Sequence, residues 1–234
     1  MPTSSFADIA NHWAKACIEQ LADRDLVKGY PDGTYRPDGT VTRAEFAALM
    51  LKVFPEAAPW REFLSFSDVP TGYWAKAAVE WVYQRGFFSG YPDQTFRPDQ
   101  PIPRVQAIAV LATAFRYPFP SISEETLQQY YDDAIDIPDY AKGAIAISTL
   151  KNLVVNYPDV RKLAPNRATT RAEVAAFLCQ GLAIANTVPP QYVPWGTQLS
   201  DIQSGTTISF EVLRANARLV REIQMRFTAL KLYP

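Results

Sequence analysis

Three arginines stand at matched places in this 234-residue chain: Arg43, Arg104 and Arg171. Each follows a loop proline by six residues, from Pro37, Pro98 and Pro165. Arginine carries a permanent charge on a rigid planar fork, which grips a carboxylate through two parallel hydrogen bonds. A helix start follows in each case, so the charge would sit at the positive end of a helix macrodipole beside free amides. Thr42-Arg43-Ala44-Glu45 and Thr170-Arg171-Ala172-Glu173 match the capping-box pattern. Pro103-Arg104-Val105-Gln106 lacks the threonine, so its cap is expected to be weaker.

Other reactive groups are sparse. His12 is the only histidine, beside Trp13 in helical sequence, and reads as structural. No Gly-x-Ser-x-Gly elbow, phosphate-binding glycine loop or His-x-x-x-His pair occurs, so neither an enzyme nor a cofactor is expected. Asp32 and Asp38 flank a loop of roughly calcium-loop length, but Tyr35 and Arg36 stand where ligands would be needed, so no metal is expected. Glu124-Glu125 and Asp132-Asp133 lie in connector or turn sequence and read as solvated faces. Cys17 and Cys179 each sit in an apolar helical pattern and read as buried thiols, with a bridge between them as the other option.

The elements that position the arginines repeat. Gly29-Tyr30-Pro31-Asp32-Gly33-Thr34-Tyr35-Arg36-Pro37 returns as Gly90-Tyr91-Pro92-Asp93-Gln94-Thr95-Phe96-Arg97-Pro98. A worn third copy begins Asn156-Tyr157-Pro158-Asp159 and ends Ala164-Pro165. Before each phrase an apolar stripe at helical spacing predicts a helix; in the first copy it is Trp13, Cys17, Ile18 and Leu21. Gly29 reads as the stop of that helix. After each phrase Phe46, Leu49, Met50 and Val53, or their counterparts, predict a second helix. One helix-loop-helix unit cannot cover its own apolar face, so three are expected to close around one core.

The expected fold is all-α, with repeats over 1–55, 62–117 and 126–185 forming one pseudo-trimeric module. A Pro-rich linker is expected over 186–205 and an amphipathic helical tail over 206–234. In that tail Leu213, Asn216, Val220, Ile223, Phe227 and Leu230 form a heptad-like seam suited to self-association or a partner helix over 209–232. Arg214, Arg218, Arg221 and Arg226 make an opposite face suited to an anionic membrane surface. A formal net charge of −1 removes the basic footprint that nucleic acid requires. No run of about 18 apolar residues predicts a transmembrane helix. Met1-Pro2-Thr3-Ser4-Ser5 shows no secretory signal.

Phe6-x-Asp8, Trp13, the Gly29 to Pro37 phrase and Thr42 to Glu45 together resemble the S-layer homology (SLH) family. Repeat two departs at Gln94 and at the Pro103 to Gln106 cap. Repeat three departs most, with Tyr140 for tryptophan, Asn156 for glycine and Ala164 for arginine. The resemblance implies a pseudo-threefold module in the cell envelope. It implies binding of peptidoglycan-linked, often pyruvylated polysaccharide in grooves between repeats.

On that reading Arg43, Arg104 and Arg171 would take a pyruvate or uronate carboxylate. Trp13, Trp74, Tyr140, Tyr30, Tyr91 and Tyr157 would cover the apolar faces of sugar rings. Gly29 and Gly90 would let a ligand approach the backbone. Asp8, Asp68 and Asp133 would support. Plainer readings stand beside these: each tryptophan as core, each arginine paired with an aspartate of a neighbouring repeat, each glycine as a helix stop, and each Tyr-Pro-Asp-x-Thr as a turn. Because Asn156 replaces glycine, one groove is expected to be structural and one or two to bind. The alternative function is a structural or assembly role for the tail helix.

Overall fold

The computed structural model describes residues 6–120 and 123–194. The tail helix expected over 206–234 lies outside the described residues. Among them seven α-helices occur: α1 (Lys15–Asp23), α2 (Arg43–Val53), α3 (Lys76–Gln84), α4 (Arg104–Ala114), α5 (Glu124–Gln128), α6 (Asp139–Leu150) and α7 (Arg171–Gly181). Three short 3-10 turns accompany them, and among the described residues extended pairing is limited to three isolated bridges. The all-α expectation holds. Each repeat contributes an outer helix (α1, α3, α6) and an inner helix (α2, α4, α7), while α5 lies in the second connector.

Composition decides which helix goes inside. The inner helix α4 reads RVQAIAVLATA, apolar on nearly every face, as suits a helix surrounded by protein. In α7 every residue from Ala172 to Cys179 is buried. The outer helices α1 and α3 carry an apolar stripe and a polar face instead. Their ends follow one pattern. In α1 the amide of Leu26 bonds the Leu21 carbonyl around Asp25, whose φ is +56°. Gly86 (φ +68°) and Asn152 (φ +56°) end α3 and α6 alike. Gly29, expected to stop α1, lies well beyond that helix.

Packing runs between repeats. The principal helix contacts are α2 on α3, α4 on α6 and α7 on α1. Each inner helix therefore covers the outer helix of the next repeat, and the last closes on the first. A ring of backbone hydrogen bonds marks the pseudo-threefold axis: Val41 N donates to Thr169 O (3.0 Å), Thr169 N to Ile102 O (2.8 Å) and Ile102 N to Val41 O (2.9 Å). Phe46, Met50, Ile108, Leu111, Phe177 and Leu178 fill the core around it with no exposed surface.

Cys17 and Cys179 are disulfide-bonded, which corrects the expectation of free thiols. Each faces the partner helix across the α1–α7 contact, where sequence spacing says nothing of distance. Residues 187–193, expected as the start of a linker, pack back on the repeats: Thr187 and Val193 are buried and Tyr192 joins an aromatic cluster.

Candidate functional site

The inner helices begin at the repeat junctions. Thr42 and Thr170 cap α2 and α7 in full capping boxes with Glu45 and Glu173, while Pro103 gives α4 no side-chain cap. The next amides are spoken for. Arg43 N and Ala44 N donate to Gln100 O and Pro98 O, Arg104 N and Val105 N to Arg167 O and Pro165 O, and Arg171 N and Ala172 N to Gly39 O and Pro37 O. The amides expected to be free for a ligand are consumed by the neighbouring repeat's loop. What each helix start presents at the junction is its arginine side chain.

Every junction is built from three repeats. One supplies the arginine, the next supplies the phrase loop, and the remaining one supplies the aromatic residue at the Trp position. Arg43 lies against the repeat-two loop with Tyr140 opposite. Arg171 lies against the repeat-one loop with Trp74 opposite. Arg104 lies against the repeat-three loop, where Trp13 stacks.

The Arg43 groove is a cavity of about 570 Å³ lined by Phe88, Ser89, Gly90, Tyr91, Gln106 and Tyr140, among others. Arg43 Nε donates to Phe96 O (2.7 Å), Nη1 to Gln106 Oε1 (2.9 Å) and Nη2 to Ser89 O at a long 3.4 Å. Its guanidinium lies 5.0 Å from the Tyr91 ring centre. Burial pushes this group down from its ordinary pKa range. The side chain of Arg43 is largely covered by protein, with 4% of the residue exposed, and the cavity is its outlet.

The Arg171 groove, about 440 Å³, is lined by Lys28, Tyr35, Glu45, Lys52, Trp74 and Val174, among others. Arg171 Nε donates to Tyr35 O and Nη2 to Lys28 O, both at 2.8 Å. Nη1 has no hydrogen-bond partner among the described residues. The Tyr30 ring lies 5.1 Å from this guanidinium and 3.8 Å from that of Arg36.

The third junction is closed. Arg104 is 1% exposed. Its Nε donates to Leu163 O (2.7 Å), and Nη2 to Asn156 Oδ1 (2.6 Å) and Val155 O (3.1 Å). Nη1 sits 2.7 Å from Glu173 Oε1 as an ion pair, out of line for a hydrogen bond. Above it Trp13 stacks on Tyr157 with ring centres 5.0 Å apart and planes at 11°. Tyr192 packs edge-on to Tyr157 at 4.9 Å, and its carbonyl accepts from Asn156 N. Asn156 thus does more than replace glycine: its buried side chain accepts from Arg104 and donates to Val160 O (2.8 Å).

Charge separates the three. Arg104 is neutralised by Glu173, whereas no carboxylate comes within 4.0 Å of Arg43 or Arg171 among the described residues. The two open grooves hold the two arginines without a carboxylate.

Several expected roles change. Asp8, Asp68 and Asp133 do not pair with the groove arginines. Each clamps its own phrase loop, Asp8 accepting from the amides of Tyr35 (2.8 Å) and Arg36 (2.7 Å). Asp68 and Asp133 repeat this with Phe96 and Arg97, and with Leu163 and Ala164. For Asp8, burial works upward but those amides outweigh it, leaving the carboxyl below its ordinary value. Gly29 and Gly90 make room for protein: a Cβ would fall 2.3 Å from the Phe6 ring at Gly29 and 2.2 Å from the Phe66 ring at Gly90. Gly90 also lines the Arg43 groove.

Trp74 and Tyr140 are 62% and 67% exposed, so the core reading fails for Trp74. Trp13 is half-buried, and its partner is Tyr157. The Tyr-Pro-Asp phrase is a turn device, as Asp32 accepts from the amide and hydroxyl of Thr34. The Thr34 hydroxyl and Arg36 hold the Asp32 carboxyl down at about 2.

Gln106 and Tyr192 were not among the expected site residues. Gln106 stands where the other repeats carry glutamate, a departure visible in the sequence. For Tyr192 the sequence holds no signal, since only folding brings it back to repeat one.

Residues 5–47, 65–108 and 130–175 match the S-layer homology domain. The exoglucanase XynX of Acetivibrio thermocellus is 36% identical over 177 residues, 74% of this chain and 16% of that protein. A cellulosome-anchoring protein of the same organism is 36% identical over 114 residues, 46% of this chain and 25% of that protein. S-layer protein EA1 of Bacillus anthracis is 29% identical over 175 residues, 74% of this chain and 20% of that protein. The chain thus spans a quarter or less of each of these relatives. With three matched copies, each carrying a phrase loop clamped by an aspartate and an arginine at an inner-helix start, the chain belongs to the S-layer homology domain family.

Proposed function

We propose that this chain is a non-catalytic anchoring module of the bacterial cell envelope. It binds an anionic, peptidoglycan-linked polysaccharide in the Arg43 and Arg171 grooves. One observation carries the reading: each open groove ends on a guanidinium that no protein carboxylate neutralises, while the closed junction has its own glutamate. At Arg43, which is buried, a charge without a counter-charge is costly and a ligand carboxylate relieves it; Arg171 is half-buried, so the relief there is smaller. A pyruvate ketal or uronate presents the planar oxygen pair that an arginine fork fits. Tyr140 or Trp74 at the rim offers a ring for an apolar sugar face. Relatives named as a cellulosome-anchoring protein and an S-layer protein support an envelope role.

Sedimentation with purified sacculi, before and after their attached polymer is stripped, tests this. Binding is expected only before stripping. Calorimetry with the released polymer should show Arg43→Ala and Arg171→Ala each losing one class of site, and Arg104→Ala losing none directly. Equal binding to stripped sacculi would overturn the proposal.

A further inference from the structure

The third residue of each inner helix faces the arginine of the preceding repeat. It is Glu45 in α2, Gln106 in α4 and Glu173 in α7. We propose that an arginine remains available to an anion unless the side chain at this position brings a carboxylate onto it, and that Gln106 is the specificity-determining residue of the Arg43 groove. The inference rests on the groove-binding reading above.

In the closed junction Glu173 has two tasks. Its Oε2 accepts the Thr170 amide (2.9 Å) to complete the capping box, and its Oε1 pairs with Arg104 (2.7 Å). In the Arg171 groove Glu45 performs the cap, accepting from the Thr42 amide at 2.8 Å, and stays beyond ion-pair distance of Arg171. Gln106 has no capping task. Its N-cap residue is Pro103, and proline has no backbone N–H to offer. Gln106 therefore turns to Arg43, with Oε1 2.9 Å from Nη1. It supplies one acceptor and correct shape but no charge. The positive charge of Arg43 is left for whatever enters the cavity, and proline and glutamine act as a pair: one frees the side chain, the other keeps it neutral.

Gln106→Glu would place a carboxylate where Glu173 sits in the closed junction. Arg43 would then be neutralised internally and the groove would reject anions. The test uses the full-length chain carrying Arg171→Ala, so that calorimetry with polysaccharide released from sacculi reads the Arg43 groove. Arg43→Ala and Gln106→Glu are each expected to weaken binding by about tenfold or more, the scale of a lost charge-assisted hydrogen bond. Gln106→Met removes the amide but adds no charge, and should cost no more than about threefold, roughly one neutral hydrogen bond. Independently of any ligand, the Arg43 Nε–H resonance in ¹⁵N-edited spectra should shift much further in Gln106→Glu than in Gln106→Met. If Arg43→Ala weakens binding but Gln106→Glu does not, or Gln106→Met weakens it as much as Gln106→Glu, the inference is wrong and the groove reading survives. If Arg43→Ala itself leaves affinity intact, the groove reading fails.

Discussion

Arg104 shows how one residue type takes opposite roles at equivalent positions. Its charge is met by Glu173, so its loss leaves Glu173 buried beside Arg167 without its main partner. Arg104→Ala is expected to destabilise the module by about 3–5 kcal/mol, read as a fall in urea midpoint. The same pair should respond to acid. Burial works to raise the Glu173 pKa, but the Arg104 charge and the bonds from Arg167 and the Thr170 amide outweigh it, leaving it below its ordinary 4.5. A carboxyl depressed in the folded state contributes stability that is complete above the ordinary value and is lost as pH falls through the folded one. Stability should therefore decline below pH about 4.5 in the wild type, and less steeply in Glu173→Gln. Unfolding curves at a series of pH values would show parallel slopes if the pair contributes nothing.

At the scale of elements, three kinds of bond hold the inner-helix starts, and α4 has only one of them. A threonine cap and a returning glutamate serve α2 and α7, and the neighbouring loop's carbonyls serve all three. Thr42→Ala and Thr170→Ala should each cost about 0.5–2 kcal/mol by chemical denaturation. For α4, Pro103→Ala removes no side-chain bond, so its cost should be smaller than either. A larger loss there would mean that the threonine hydroxyls are not what steadies the other two helices. The aspartate clamps are a second device at this scale. Asp8 and its counterparts pull each phrase loop onto its own repeat, which fixes the loop carbonyls that the preceding repeat's arginine uses.

The three repeats form a ring cut once. Chain connectors join repeat one to two and two to three, while repeat three meets repeat one without a connector. Cys17 and Cys179 bridge that contact across a sequence separation of 162 residues. Breaking the bridge, by reduction or by Cys17→Ala with Cys179→Ala, should lower stability by about 2–5 kcal/mol, seen as a fall in melting temperature. Because α1 and α7 also carry the loop and the arginine of the Arg171 groove, hydrogen exchange should rise at Lys28 and Tyr35 before it rises at Ser89 and Phe96. Uniform exchange across both loops would show that the bridge stabilises the ring without favouring that groove.

What the sequence determined by itself was local or periodic. Turn chemistry, capping boxes, apolar stripes and the proline-to-arginine spacing are fixed within a few residues of chain, and repetition multiplies the signal. Three helix-loop-helix units and three matched arginines follow from that. Tertiary structure decided which repeat each arginine faces, because helix pairing runs between repeats. It also decided that Trp74 and Tyr140 stand at open rims while Trp13 lies under Tyr157. The aspartates were legible as important but not as loop clamps, since their partners lie 27 to 31 residues away. Availability of a charge depends on what crosses the interface, Glu173 in one place and Gln106 in another. No spacing rule within a single repeat contains that information.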